Sequence, residues 1–265
     1  MPRGFDHLDH LGGRIDGKGN LVNGFSGKIA AIGPALQVSG CRAKRVTAYV
    51  DVGISNRQPT FRGPLRADGV ICNGFAIAKP ALSIAATLTP ELDRWRGNTA
   101  LRAGNLQTGQ VTISDIAGRV DFDGQANGTK GTATLSAATG RIASTPMTGL
   151  EFDGKFAFGS TASGEGRLTV ARLKPDIGVV ERLDAAARTA ADTPVGPLLR
   201  ELARAVQRTD RGIAVVADGR YSGGTTQISQ LLATSVSGAA LRAAGGRGIQ
   251  LGGEVQRWLV ARVSF

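Results

Sequence analysis

The chain has 265 residues, with 32 Lys+Arg against 21 Asp+Glu and a formal net charge of +11. Its 42% hydrophobic content excludes disorder over most of the length, while 38 glycines and 10 prolines announce many turns. Aromatics are only 5%, so apolar faces are built from Ala, Val, Leu and Ile, and any core is thin for its length.

The first residues, "FDHLDH", hold both histidines of the chain, His7 and His10. No later His completes a metal site, so no metal is expected. From Gly12 to Leu173 strand signals recur about every 8 to 15 residues with turn residues between them. "RVTAYVDVGI" places Val46, Ala48, Val50 and Val52 on one face, and "ALSIAATLT" does the same with Leu82, Ile84, Ala86 and Leu88. "GQVTISD" offers Val111 and Ile113. "GRVDFDGQANGTKGTATLSAATGRI" reads as a hairpin: Val120 and Phe122 alternate with Asp121 and Asp123, a Gly/Asn/Thr turn follows, and Ala133, Leu135 and Ala137 alternate with polar residues. "GLEFDGKFAFG" offers Leu150, Phe152, Phe156 and Phe158, with Gly154 as a bulge or close-approach point, and "GEGRLTVARL" gives Leu168 and Val170. The similarity between strands is one of pattern; no residue-level repeat of fixed period is read.

After Leu173 the pattern becomes helical. Ile177, Val180, Leu183 and Ala187 fall at helical spacing, and a second helix follows with Thr193 as its N-cap, Pro194 at its first position and Leu198, Leu199, Leu202, Ala205 and Val206 on its apolar face. Strand signals resume at "GIAVVADGRY" and run to Phe265. The expected division is a curved β-sheet segment over 1–173, a helical insert over 174–210 and a β-strand segment over 211–265.

Chemistry is sparse. "GGRGIQLGG" has the wrong spacing for a dinucleotide loop and opens no helix; there is no P-loop and no CxxC pair. No residue argues for an enzyme, and no cofactor is expected. Basic residues are not interleaved with aromatics, so nucleic acid is not an expected partner, whereas a scattered basic surface fits either solvent or anionic head groups. No apolar run reaches the ~18 residues that span a bilayer. Cys41 and Cys72 match no zinc motif, and the residues alone leave free thiols and a disulfide equally open.

Between Gly12 and Leu173 no amphipathic helix covers the one-sided strands. They must pack on another sheet, curl on themselves, or face an apolar ligand. The rivals are a structural or adhesive β-solenoid interaction module with a dry core, and a β-helical glycan-processing enzyme, which needs clustered carboxylates.

The succession of one-sided strands from "GRIDGKGNLVNGFSGKIAAIGPALQVSGCRAKRVTAYVDVGI" through "LRADGVICNGFAIAKPALSIAATLTPELDRWRG", and the passage "TPVGPLLRELARAVQRTDRGIAVVADGRY" with the strands after it, resembles the AsmA-like bacterial envelope proteins, in particular the YdbH branch, whose architecture is related to TamB. The resemblance implies a mainly β fold: an elongated, highly curved antiparallel sheet forming a taco-like groove with a short helical insert. It implies transfer of phospholipid between inner and outer membranes, with partners among phospholipid acyl chains, an outer-membrane lipoprotein and other envelope proteins. The implied location is the periplasm, within a protein anchored in the inner membrane by a helix that this chain lacks, so the chain is expected to be an internal segment of a bridge. In that oxidising setting Cys41 and Cys72 are expected to be bridged. The groove lining expected from the strand pattern is Val120, Phe122, Ala133, Leu135, Leu150 and Phe152, continued by Phe156, Phe158, Leu168 and Val170. The helical insert is expected to cap the groove with Leu198, Leu199, Leu202 and Val206 turned inward.

Overall fold

The computed structural model describes residues 7–9, 12–20, 24–38, 40–174, 177–207, 212–235, 240–251 and 260–264. The fold is mainly β, an antiparallel sheet with two short helices. The strands are β1 (His7–Asp9), β2 (Gly12–Asn20), β3 (Gly24–Val38), β4 (Cys41–Ser55), β5 (Gln58–Arg66), β6 (Gly69–Cys72), β7 (Phe75–Ala78), β8 (Ala81–Leu88), β9 (Arg94–Thr108), β10 (Val111–Gln125), β11 (Gly128–Ile142), β12 (Thr145–Phe158) and β13 (Ser163–Leu173). Helices α1 (Ile177–Thr189) and α2 (Val195–Gln207) follow, then β14 (Ile213–Ser222), β15 (Thr225–Ser235), β16 (Ala240–Leu251) and β17 (Val260–Ser264). Two compact units divide the chain: Met1–Ser136 with Lys155–Ser160, and Ala137–Gly154 with Thr161–Phe265. The division falls inside β11 and β12, and both helices belong to the second unit.

A fixed period is present after all. Gly24, Cys41, Gln58 and Phe75 begin strands 17 residues apart, and so do Arg94, Val111, Gly128 and Thr145. The repeat is one strand, interrupted between β5 and β6, plus a two-residue turn, such as Asn56–Arg57, where both residues are left-handed (φ 52° and 63°) as the tightest hairpin turns require. It escapes a search for recurring residues because only geometry recurs. The five-residue link from 89 to 93 resets the count; there Thr89 Oγ1 donates to Asp93 Oδ1 at 2.6 Å and Arg94 N donates to Thr89 Oγ1 at 3.2 Å.

The pairings of β4, β5, β8, β9, β7 and β6 close into a six-membered ring. Its origin is two interrupted strands. β5 and β6 lie on the same edge of β4 in one unbroken register, from Ser55↔Gln58 to Arg42↔Ile71. β7 and β8 likewise share an edge of β9, from Ala76↔Gln107 to Leu88↔Trp95. Across the interruption Asp68 N donates to Lys44 O and Lys79 N to Asp68 O, both at 2.9 Å, and the Arg45 guanidinium pairs with Asp68. The ladder therefore continues through the break.

At this line the in–out alternation slips by one residue. On β4 the less exposed positions run Cys41, Ala43, then Val46, Ala48, Val50 and Val52. On β10 the alternation is clear after the slip, with Gly118, Val120, Phe122 and Gly124 less exposed, whereas Val111–Ser114 before it are all half-buried. Arg45, Lys79 and Asp115 stand at the slip with φ of 46°, 50° and 55°, and each leaves its side chain exposed. One left-handed residue turns the chain so that the next apolar side chain returns to the same face.

Inward glycines mark where strands approach most closely. A Cβ on Gly131 would stand 2.0 Å from Asp121 O, and one on Gly97 2.2 Å from Ala85 O. Such contacts require glycine and are a known means of bending a sheet. The outer face carries the charges as cross-strand partners: Lys28 is 3.6 Å from Asp51 in the first unit, and in the second Arg220 is 3.6 Å from Glu165. Tyr49 first, then Asp51, hold the Lys28 ammonium above its ordinary value.

In the second unit α1 and α2 pack through small residues, with Val180, Ala187 and Ala203 buried. Thr193 does not cap α2; its hydroxyl donates to Ala190 O at 2.8 Å, tying down the end of α1. Arg167 Nε and Nη2 donate to Asp218 Oδ1 and Oδ2 at 2.7 and 2.9 Å. These bonds hold the Asp218 carboxyl below its ordinary 3.8; partial burial opposes them and the guanidinium charge adds to them.

Gly131→Ala is expected to destabilise by about 1–3 kcal/mol in urea unfolding, because the methyl meets a carbonyl that cannot retreat without breaking the ladder. Gly104→Ala, whose Cβ would find nothing nearer than 3.6 Å, is the control and is expected to change stability by less than about 1 kcal/mol. Equal losses would refute the close-approach role. Because the folded Asp218 value is depressed, its stabilisation is present above pH 3.8 and lost below it. Melting temperature followed downward from about pH 7 should therefore fall more steeply below that point in the wild type than in Asp218→Asn.

Candidate groove in the first unit

Inward residues of neighbouring strands meet in rows. One row runs Gly27, Val52, Phe61, Ala86, Gly97 and Phe122 from β3 to β10; β11 and β12 extend it with Gly131 and Phe156. All eight residues line one cavity of about 1310 Å³. Strands so far apart in the ladder can share a cavity only if the sheet curls around it. The volume exceeds the ~300–1,000 Å³ of ordinary small-ligand sites.

From Gly97 to Phe156 the row alternates glycine with phenylalanine, and these rings lie over the glycines. The Phe122 ring would be 3.0 Å from a Cβ on Gly97, and Phe156 2.8 Å from one on Gly131. A flattened ring gives a smooth floor. In the first unit every Asp, Glu, Lys and Arg within β3 to β12 lies on the opposite face, at the slip or in a turn. The inward side chains of the floor are thus uncharged, while Lys28, Asp51, Arg62, Arg96, Asp121, Asp123, Lys130 and Lys155, which alternate with them, also border the cavity. The floor has little cover: among the described residues no large side chain is fully buried, and Val50, Val52, Pro59 and Ala103 are floor residues of this unit that come near it.

Of the lining residues expected from sequence, Phe122 and Phe156 touch the cavity. Val120, Ala133 and Leu135 are half-buried on the same face of β10 and β11. Phe158 is on that face but 58% exposed, because it ends β12 with nothing packed above it; its ring centroid is 5.3 Å from that of Phe156. Leu150, Phe152, Leu168 and Val170 belong to the second unit. There Leu150 and Val170 are buried and Phe152 is half-buried, whereas Leu168 is 38% exposed opposite the small Ala217. The helical stripe departs from expectation: Leu198 is 37% exposed, while Leu199 and Leu202 are half-buried. Gly196 and Ala203 take the buried positions of α2, since small residues allow it closest to α1. The Val206 side chain lies outside the described residues, as does His10.

Sequence reading missed Gly27, Phe61, Gly97 and Gly131 as lining. Their alternation was visible strand by strand, but their meeting in one row depends on register.

Cys41 and Cys72 form a disulfide, with Cα atoms 4.1 Å apart, at the turn end of β4 and β6 beyond the slip. No group of His, Cys, Asp and Glu among the described residues could hold a metal ion, and no helix there is long and apolar enough to cross a membrane. No family model, curated protein or solved structure matches the chain.

The bridge closes a sequence separation of 31 residues and ties the four-residue strand β6 to its long neighbour. Replacing both cysteines by alanine is expected to cost about 2–4 kcal/mol, read by denaturant unfolding. Titration of two free thiols in unfolded protein purified without reductant would refute the bridge.

Proposed function

We propose that the first unit holds phospholipid acyl chains against its uncharged inner face, as a segment of a bridge that moves phospholipid between inner and outer membranes. The observation that carries this reading is the eight-residue apolar row around an open cavity. The mechanism is passive. Each acyl CH₂ taken from water contributes roughly 0.8 kcal/mol wherever it lies on a continuous floor, so a chain can slide without crossing a specific contact. Head groups remain in water beyond the strand ends. No catalytic residue is involved.

The disulfide supports an oxidising compartment, and we place the protein in the periplasm on that ground together with the AsmA-like resemblance. Outer-membrane lipoproteins and other envelope proteins are the proposed partners. The dry β-solenoid has less support, because neighbouring strands pair as antiparallel hairpins and not as coils, and because the inner face lacks the packed layer that a dry core requires.

Lipids extracted from the purified protein should be identified by mass spectrometry, and a photoreactive residue at Val120 should cross-link to them. Phe156→Asp is expected to remain folded, since its side chain borders the cavity, and to reduce cross-linking roughly tenfold because an unpaired carboxylate lies in the path of the chain. An unfolded variant, together with a wild type that never cross-links to lipid, would establish a dry core.

A further inference from the structure

The row next to the cavity floor, one step toward the turn end of the strands, differs from the floor in having aromatic rings near solvent. It contains Phe25 on β3, Ile54 on β4, Leu88 on β8, Trp95 on β9 and Phe158 on β12. Beyond it come turns, among them Asn56–Arg57 and the Glu91–Asp93 stretch, the latter with an exposed Leu92. Trp95 is half-exposed and pairs across the ladder with Gly124. The indole lies flat on that glycine: a Cβ there would be 2.2 Å from Trp95 Nε1 and 2.5 Å from its Cε2, with Thr129 Oγ1 as the other close atom. All these are side-chain atoms, so Gly124 makes room for the indole and not for a backbone.

A half-exposed indole, with an N–H to donate, therefore stands where the floor ends and the turns begin, two residues along the strand from Gly97 of the cavity. Indoles favour such boundaries, where one side is apolar and the N–H can reach an acceptor. Building on the lipid reading above, we propose that Trp95 Nε1 donates to the ester carbonyl of a bound acyl lipid. That bond would fix the polar end at the rim while the chain lies along Gly97, Phe122 and Phe156. Gly124 acts as the positioning residue that keeps the indole flat and its N–H at the rim.

Trp258→Phe leaves Trp95 as the sole tryptophan of the chain. In that background, two probes of equal chain length are compared: 1-palmitoyl lysophosphatidylcholine, which carries the ester carbonyl, and its 1-O-hexadecyl ether analogue, which does not. The ester lipid is expected to shift Trp95 emission. Trp95→Phe, which keeps a ring over Gly124, is expected to weaken the ester lipid about threefold to tenfold, the span of one hydrogen bond, and the ether lipid less than about twofold; binding is read by native mass spectrometry so that the loss of tryptophan does not matter. Gly124→Ala, which must displace the indole, is expected to give the same selective loss with tryptophan retained; should it fail to fold, the Trp95→Phe comparison stands alone. Equal losses for the two lipids, or none, would overturn the role of Trp95 while leaving the lipid reading intact. Failure of both lipids to bind the wild type, with no cross-link from Val120, would overturn both.

Discussion

The inner face stays free of charge because the strands β3 to β10 change phase on one line. A strand that failed to slip would carry its charged residues inward beyond this line. In β4 that would bring Arg42 and Lys44 to the floor, since in–out alternation has a period of two. Asp68, Lys79 and Asp115 stand at corresponding places on the neighbouring strands, and the hydrogen bonds from Asp68 N and Lys79 N carry the ladder through the line. Register is therefore conserved while phase is not. The charged residues at the slip are themselves consistent with this, because a side chain on a residue that interrupts alternation is left exposed.

Curvature is the second requirement and has a different source. Bending a sheet brings Cβ atoms together on its inner face. Gly97 and Gly131 relieve that crowding where a methyl would meet a carbonyl. The vacant space above each glycine is taken by a ring from the next strand, Phe122 over Gly97 and Phe156 over Gly131, so bending does not leave holes. Cross-strand aromatic contacts of this kind add to strand pairing. The same pairs that permit bending thus lower the rings and leave the cavity open.

Much of this was legible in the sequence. The runs Val46–Val52, Leu82–Leu88 and Val120–Phe122 alternate cleanly, and the hairpin from 118 to 142 forms with its turn at Ala126–Asn127. The phase slip was not legible, because Arg45 and Lys79 carry no mark of a left-handed conformation and Asp115, whose type does visit it, lies inside a strand-like run. The 17-residue period was hidden for a related reason: turns of such different composition as Asn56–Arg57 and Ala126–Asn127 serve the same geometric purpose. The row Gly27 to Phe156 needed register to be seen at all. The helical stripe points Leu198 inward, but α2 meets α1 through Gly196 and Ala203 instead, since close approach between helices favours the smallest side chains over the most apolar ones.

An inner face without cover also changes what holds this unit together. Few of its side chains reach full burial, so stability rests on the hydrogen-bonded ladder, the outer ion pairs and the Cys41–Cys72 bridge more than on a packed core. Exposed pairs such as Lys28–Asp51 contribute little individually. An acyl chain on the floor would supply the missing layer, and a ligand that binds only the folded state stabilises it in proportion to the logarithm of its concentration over Kd. The lipid would then be cargo and transient core at once. A floor of nearly uniform apolarity gives every position along the row a similar affinity, so occupancy stabilises the sheet without trapping the chain at one place. Movement needs that uniformity as much as binding needs the apolar area, and both follow from keeping charge off a single face.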